Sequence, residues 1–417
     1  MRFDFPNGFR WGAATAAHQV EGNNVASDFW LLEHAPGTLF AEPSGDACDQ
    51  LHRYRDDVAL LARLGFGSYR LSIEWARIEP EEGCFSRAAL EHYRRVLACC
   101  HEHGVAPCVT FHHFTSPRWV TADGGWESER TASRFARYCE RAVAHLGDLV
   151  SIACTINEAN LPASLALTGT VPREGAKRRL PFVAEAARRC GSDLERFSPF
   201  LLSDPFRTRD VMLLAHRQAR EALKSGRGDF PVGVTLAMQD LVAVPGGEVK
   251  RDEARRESFD PFLDAAAEGD DFVGVQTYSR TRFGPAGALP PEPGVPVLAL
   301  GYEYWPQALE GTLRYAARAG VPLYVTENGI GTDDDAQRIA YYREALSALV
   351  RCLQDGVDVR GYWAWSLLDN YEWLHGYRPR FGLVAVDRET QARTPKPSAA
   401  LLGRVARENA FDPDAFG

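Results

Sequence analysis

Two carboxylates stand out by what surrounds them. Tyr324-Val325-Thr326 is an apolar, β-branched run that stops at Glu327, and Asn328-Gly329 follows at once as a turn signal. Ser151 to Ile156 runs in the same way into Asn157-Glu158. A strand that ends on a glutamate holds that carboxyl on a rigid support. Two such tips converging on one substrate bond could divide the work of acid and nucleophile. Either glutamate alone would read as an exposed strand-end charge; the pairing carries the meaning.

Positioning such a pair takes regular elements, and the sequence alternates short β-rich runs with longer segments of helical period. Eight runs read as strands: 9–15, 67–73, 107–112, 151–156, 232–238, 272–276, 323–326 and 359–365. Between them, Leu51, Tyr54, Val58 and Leu61 recur at helical spacing, with Gly65 as a C-terminal stop. Ser86 caps a second helix with Leu90, Tyr93, Val96 and Leu97 inside. Phe135 to Leu146 and Ile339 to Leu353 supply two more. Eight strands alternating with helices predict an α/β fold, a single (β/α)8 TIM barrel spanning residues 1–417 with elaborated loops and its active site at the C-terminal strand ends. A doubly wound sheet would want a glycine-rich phosphate turn after the first strand, and Trp11-Gly12-Ala13-Ala14-Thr15 is not one. Residues 160–205 form a long loop whose Arg173, Lys177, Arg178 and Arg179 read as a solvated charge cluster, and 284–295 reads as an irregular Pro/Gly loop.

A formal net charge of −9 argues against nucleic-acid or anionic-membrane partners and leaves a neutral small molecule. No signal-type N-terminus or long apolar run is present, so a cytoplasmic location is expected. The nine cysteines are odd in number, scattered, and without Cys-x-x-Cys spacing, which predicts reduced core thiols and no metal. No cofactor is expected, and the oligomeric state is left open.

A sugar would need bidentate polar side chains for its hydroxyls and aromatic rings for its C–H face. Those types gather at the predicted strand ends: Gln19, Arg70, His113, Asn157, Tyr278, Trp365, Glu372 and Trp373. His113 reads equally well as a structural strand-end histidine, and of Trp363 and Trp365 one is expected to face the helices. Arg70 lies inside an apolar strand, where a guanidinium needs an anionic partner that a strand-tip glutamate could supply.

Through these residues the chain resembles glycoside hydrolase family 1, a family of retaining β-glucosidases and β-galactosidases. The matching segments are Phe9-Arg10-Trp11-Gly12-Ala13-Ala14-Thr15 with Gln19 and Glu21-Gly22, Tyr69-Arg70-Leu71-Ser72-Ile73-Glu74-Trp75, Asn157-Glu158, Thr326-Glu327-Asn328-Gly329, and the run from Trp365 to Trp373. Arg380-Phe381-Gly382-Leu383 and Arg393-Thr394-Pro395-Lys396 follow. The resemblance implies Glu158 as acid/base and Glu327 as nucleophile, with Arg70 and Tyr278 tuning the latter. It implies that Gln19, His113, Asn157, Glu372 and Trp373 bind the nonreducing-end sugar over a floor made by Trp365. The implied activity is hydrolysis of unphosphorylated β-glucosides or related β-glycosides through a covalent intermediate. Glu372 stands where phosphosugar members lack an acid, and its charge is expected to repel a 6-phosphate. Transglycosylation by the same residues and a catalytically dead sugar-binding barrel are the alternatives. Three departures from the family pattern stand out: Ala159 replaces the proline after the acid/base, Gln276 replaces an asparagine, and Phe114 replaces a tryptophan. The first predicts a less constrained start to the fourth loop.

Overall fold

A computed structural model describes residues 2–416 apart from Glu174 and Ala176. Eight parallel strands close into a barrel: β1 (Arg10–Ala14), β2 (Ser68–Ser72), β3 (Ala106–His112), β4 (Ile152–Ile156), β5 (Val232–Ala237), β6 (Phe272–Thr277), β7 (Leu323–Asn328) and β8 (Val359–Trp365). Closure is made by β8 against β1, from Gly361 opposite Arg10 to Trp365 opposite Ala14. Every run read as a strand is one, with ends shifted by a residue or two.

The helices follow the sequence signals that predict them. Gly65 stops the helix Gln50–Leu64 in the left-handed region at φ 107°, where a side chain would be strained. Ser86 accepts a hydrogen bond from the Ala89 amide and starts Arg87–Glu102. Helix Glu129–Leu146 buries Phe135, Tyr138, Ala142, Val143 and Leu146 against the barrel. Helix Asp335–Gln354 buries Tyr342, Leu346 and Leu349, while Ile339 and Leu353 remain half-buried.

Inside the barrel, Trp363 and Trp365 pack in one cluster with Cys108, Cys154, Phe272 and Tyr324. Both tryptophans therefore face inward, contrary to the expectation that one meets the helices. Residues two apart on a strand share a face, and it is Tyr362, just before Trp363, that points outward, its hydroxyl donating to Asn328. Room for the Trp363 indole comes from Gly12, where a Cβ would sit 2.4 Å from the ring.

Two predicted loops are more ordered than expected. Residues 160–205 contain helices Leu161–Leu167 and Pro181–Arg189. Lys177 is no solvated charge: it is buried and donates to the Glu195 carbonyl at 2.8 Å and the Phe197 carbonyl at 3.3 Å. Arg178 does behave as an exposed ion pair, with Glu195. Beyond β5 and β6 a small sheet pairs Asp240–Ala243 with Arg280–Gly284, and Gly287–Ala288 folds back on the latter. Of the cysteines, all but Cys84 and Cys190 are buried. Among the described residues no helix is long and apolar enough to cross a membrane.

Candidate active site

At the C-terminal mouth of the barrel lies a cavity of about 570 Å³, and Gln19, His113, Asn157, Glu158, Tyr278, Glu327, Trp365, Glu372 and Trp373 all line it. Arg70 sits beneath, fully buried on β2. Every residue singled out in the sequence is thus brought to one place.

Glu327 owes its orientation to an irregularity in β7. Tyr324 belongs to the interior cluster and Val325 to the outer core, so strict alternation would send Glu327 outward. Between Val325 and Glu327 the register with β6 shifts, setting Glu327 opposite Gln276. This bulge re-aims the carboxyl into the cavity. There it is held by three donors: Arg70 Nη1 at 2.6 Å and Gln276 Nε2 at 2.7 Å on Oε1, and the Tyr278 hydroxyl at 2.6 Å on Oε2. Arg70 Nη2 and Gln276 Nε2 also donate to Asn157 Oδ1, at 2.5 and 2.7 Å. That shared acceptor fixes the Gln276 amide, since the flipped form would set its oxygen against two others.

Glu158 is held differently. It occupies the left-handed region at φ 47°, a conformation that costs a non-glycine residue on the order of 1–3 kcal/mol. Its amide donates to Thr235 Oγ1 at 3.3 Å, and its carboxyl takes no hydrogen bond among the described residues. The turn after it is well tied despite the missing proline, contrary to expectation. Ala159 is buried and its amide donates to the Thr235 carbonyl at 3.2 Å, a bond that a proline could not make. Asn160 then exchanges two 2.8 Å hydrogen bonds with the Ala237 backbone at the end of β5.

These surroundings separate the two carboxyls electrostatically. Burial and the charge of Glu327 push Glu158 well above the ordinary carboxylate range, with Arg70 opposing. Burial also raises Glu327, but Arg70 and Tyr278 counter it, so Glu327 ionises first and Glu158 keeps the proton. Burial, then Arg70, holds His113 neutral, which suits its Nε2 contact with Asn157 Nδ2 at 3.1 Å.

Around this pair stands a polar and aromatic surface. His113 lies parallel to Trp365 and Trp373, with ring centroids 5.9 and 6.3 Å away. Gln19 Nε2 is anchored to the Tyr371 carbonyl at 2.6 Å and to Asn370 at 3.0 Å. Gln19 Oε1, His113 Nδ1 and Gln276 Oε1 are buried and lack a protein partner among the described residues, as atoms awaiting ligand hydroxyls would. Trp365 Nε1 donates to Glu372 at 3.3 Å. Burial, reinforced by Glu327, raises Glu372 well above the usual range. Its proton affinity is therefore higher than that of an exposed glutamate. The donor role of Gln276 was not legible in the sequence. Its residue type departs from the family pattern, and only the register shift opposite Glu327 gives it the reach.

The geometry agrees with three comparisons. The model of glycosyl hydrolase family 1 matches residues 1–284 and 290–411. Thermostable beta-glucosidase B of Thermobispora bispora is 33% identical over 459 aligned positions, covering 97% of this chain and 91% of that protein. Among solved structures, beta-glycosidase BGL167 superposes with a TM-score of 0.93 at 56% identity, covering 98% of both chains. A beta-glycosidase from Pyrococcus horikoshii does so with a TM-score of 0.84 at 33% identity, covering 99% of this chain and 97% of that one. The chain shares its barrel fold with these solved structures, and it belongs to glycosyl hydrolase family 1, a family of glycosidases.

Proposed function

We propose that the protein hydrolyses unphosphorylated β-glycosides with retention of configuration, Glu327 acting as nucleophile and Glu158 as acid/base. The observation that carries this reading is the inequality of the two carboxyls among the described residues: three donors on Glu327, none on the Glu158 carboxyl. Glu158 gives its proton to the glycosidic oxygen as Glu327 Oε attacks the anomeric carbon, so the C–O bond to the leaving group breaks as the ester bond to Glu327 forms. Esterification removes the charge at Glu327 that had raised Glu158. Glu158, now a carboxylate of lower proton affinity, takes a proton from water, whose oxygen displaces Glu327 and restores both groups. The beta-glucosidase and beta-glycosidase relatives support the β configuration of the substrate.

Exclusion of a 6-phosphate is supported by the commitment of the arginines at the cavity among the described residues: Arg280 and Arg282 face Glu292 and Glu303. Arg70 is committed to Glu327 and Asn157, and Glu372 is buried beside the glycone-binding residues. Proton NMR of the sugar first released from a dinitrophenyl β-glucoside tests the mechanism. The β-anomer is expected, and the α-anomer would contradict it.

A further inference from the structure

The cavity differs in chemistry between its two ends. Since Glu158 must stand beside the departing oxygen, the helix Leu161–Leu167, which begins just after it, walls the leaving-group end. Leu161 and Leu165 lie one helical turn apart, half-buried, and both line the cavity, while Ala163 and Ala166 turn into the protein. Leu201, Leu289 and Leu374 join them from three other segments, and Leu374 remains 47% exposed at the rim. Leu161 and Leu165 also border a small hollow of about 40 Å³ that reaches to Leu241 and Phe259.

The charged side chains at this end are largely paired with one another, although Arg282 Nε has no hydrogen-bond partner among the described residues. Arg280 donates to Glu303 at 2.6 Å and pairs with Glu292. Arg282 faces Glu292 at 3.4 Å and Glu303 at 3.7 Å, and Thr281 donates to Gln239. The opposite end holds Gln19 Oε1, His113 Nδ1 and Gln276 Oε1, which lack partners among the described residues, together with Trp365 and Trp373. One end is thus built to receive hydroxyls and a pyranose face. The other presents the aliphatic carbon of Leu161 and Leu165 beside side chains that are mostly paired, where a second sugar would leave most of its hydroxyls unpaired.

Building on the roles of Glu158 and Glu327 given above, we propose that the leaving-group end selects an apolar aglycone, an alkyl chain or hydrophobic ring, over a second sugar, and that Leu161, Leu165, Leu201, Leu289 and Leu374 make this choice.

The test is a series of methyl, butyl, hexyl and octyl β-glucosides beside cellobiose. Their leaving alcohols differ little in basicity, so ratios of kcat/KM report contacts with the wall. The expected rise is about three- to fourfold per added methylene, the value of burying one CH₂, before it levels off. Hexyl glucoside should exceed cellobiose by at least about tenfold. Leu374→Ser, at an exposed position that tolerates polarity, and Leu165→Ser should each lower the hexyl-to-methyl ratio at least about threefold. This ratio is internal to each variant and is unaffected by the fraction of folded enzyme. A flat alkyl series, or cellobiose faster than hexyl glucoside, would overturn the inference. Turnover of dinitrophenyl β-glucoside, measured alongside, separates the two readings: without it the proposed function itself falls, and with it a flat series refutes only the aglycone assignment.

Discussion

Gln276 shows how one side chain can bias a reaction without touching the bond that breaks. Its amide nitrogen bridges Asn157 and Glu327, both at 2.7 Å, and so favours the charged form of the nucleophile. Gln276→Met removes that donor while keeping the bulk. A hydrogen bond to a charged group contributes about 1.5–3 kcal/mol, so kcat/KM should fall roughly 10- to 100-fold. The sign of the pH effect follows from the charge. Activity needs Glu327 ionised, so its proton affinity sets the acid limb of kcat/KM against pH, and loss of a donor raises that affinity. The limb should move to higher pH. A drop in rate with an unmoved acid limb would show that Gln276 only packs.

At the scale of elements, the barrel was legible wherever one residue type had one physical consequence. Gly65 and Ser86 end and begin helices as predicted, and the eight β-rich runs were found because each is bounded by turn signals. What escaped the sequence depends on partners far along the chain. The bulge that turns Glu327 inward is a register shift against β6 and leaves no local mark. The buried state of Lys177 depends on carbonyls at Glu195 and Phe197 that come round to meet it. Its role carries a prediction. Lys177→Ala leaves those carbonyls unpaired and should raise the rate of limited proteolysis within 168–198 at least about fivefold. Arg178→Ala, which breaks only an exposed pair with Glu195, should leave that rate near the parent value. Equal rates for Lys177→Ala and the parent protein would show that the segment is held by other contacts.

The whole molecule encloses several carboxyls, and their burial links stability to pH. Burial raises Glu74 from the ordinary 4.5 to about 7, with Thr115 and His18 opposing. Between those values the folded chain keeps a proton that the unfolded chain has lost, so this group's contribution to stability falls as pH rises through the window. Glu74→Gln removes the titration. Its stability relative to the parent, from urea unfolding, should improve by about 2–3 kcal/mol from pH 5 to pH 8. A constant difference would mean that Glu74 titrates alike in both states. The same closure that buries Glu74 also brings the tips of β4 and β7 to one mouth, and the central claim is that it gives their glutamates different work. Azide with a dinitrophenyl β-glucoside tests this most directly. In Glu158→Ala the glycosyl-enzyme still forms but lacks a base for water, so azide, which needs no deprotonation, should restore turnover and yield the β-glycosyl azide. In Glu327→Ala the covalent route is gone, so azide can attack only the substrate itself and should yield the α-azide. The opposite pairing of variant and product, or no rescue of Glu158→Ala, would contradict the assignment.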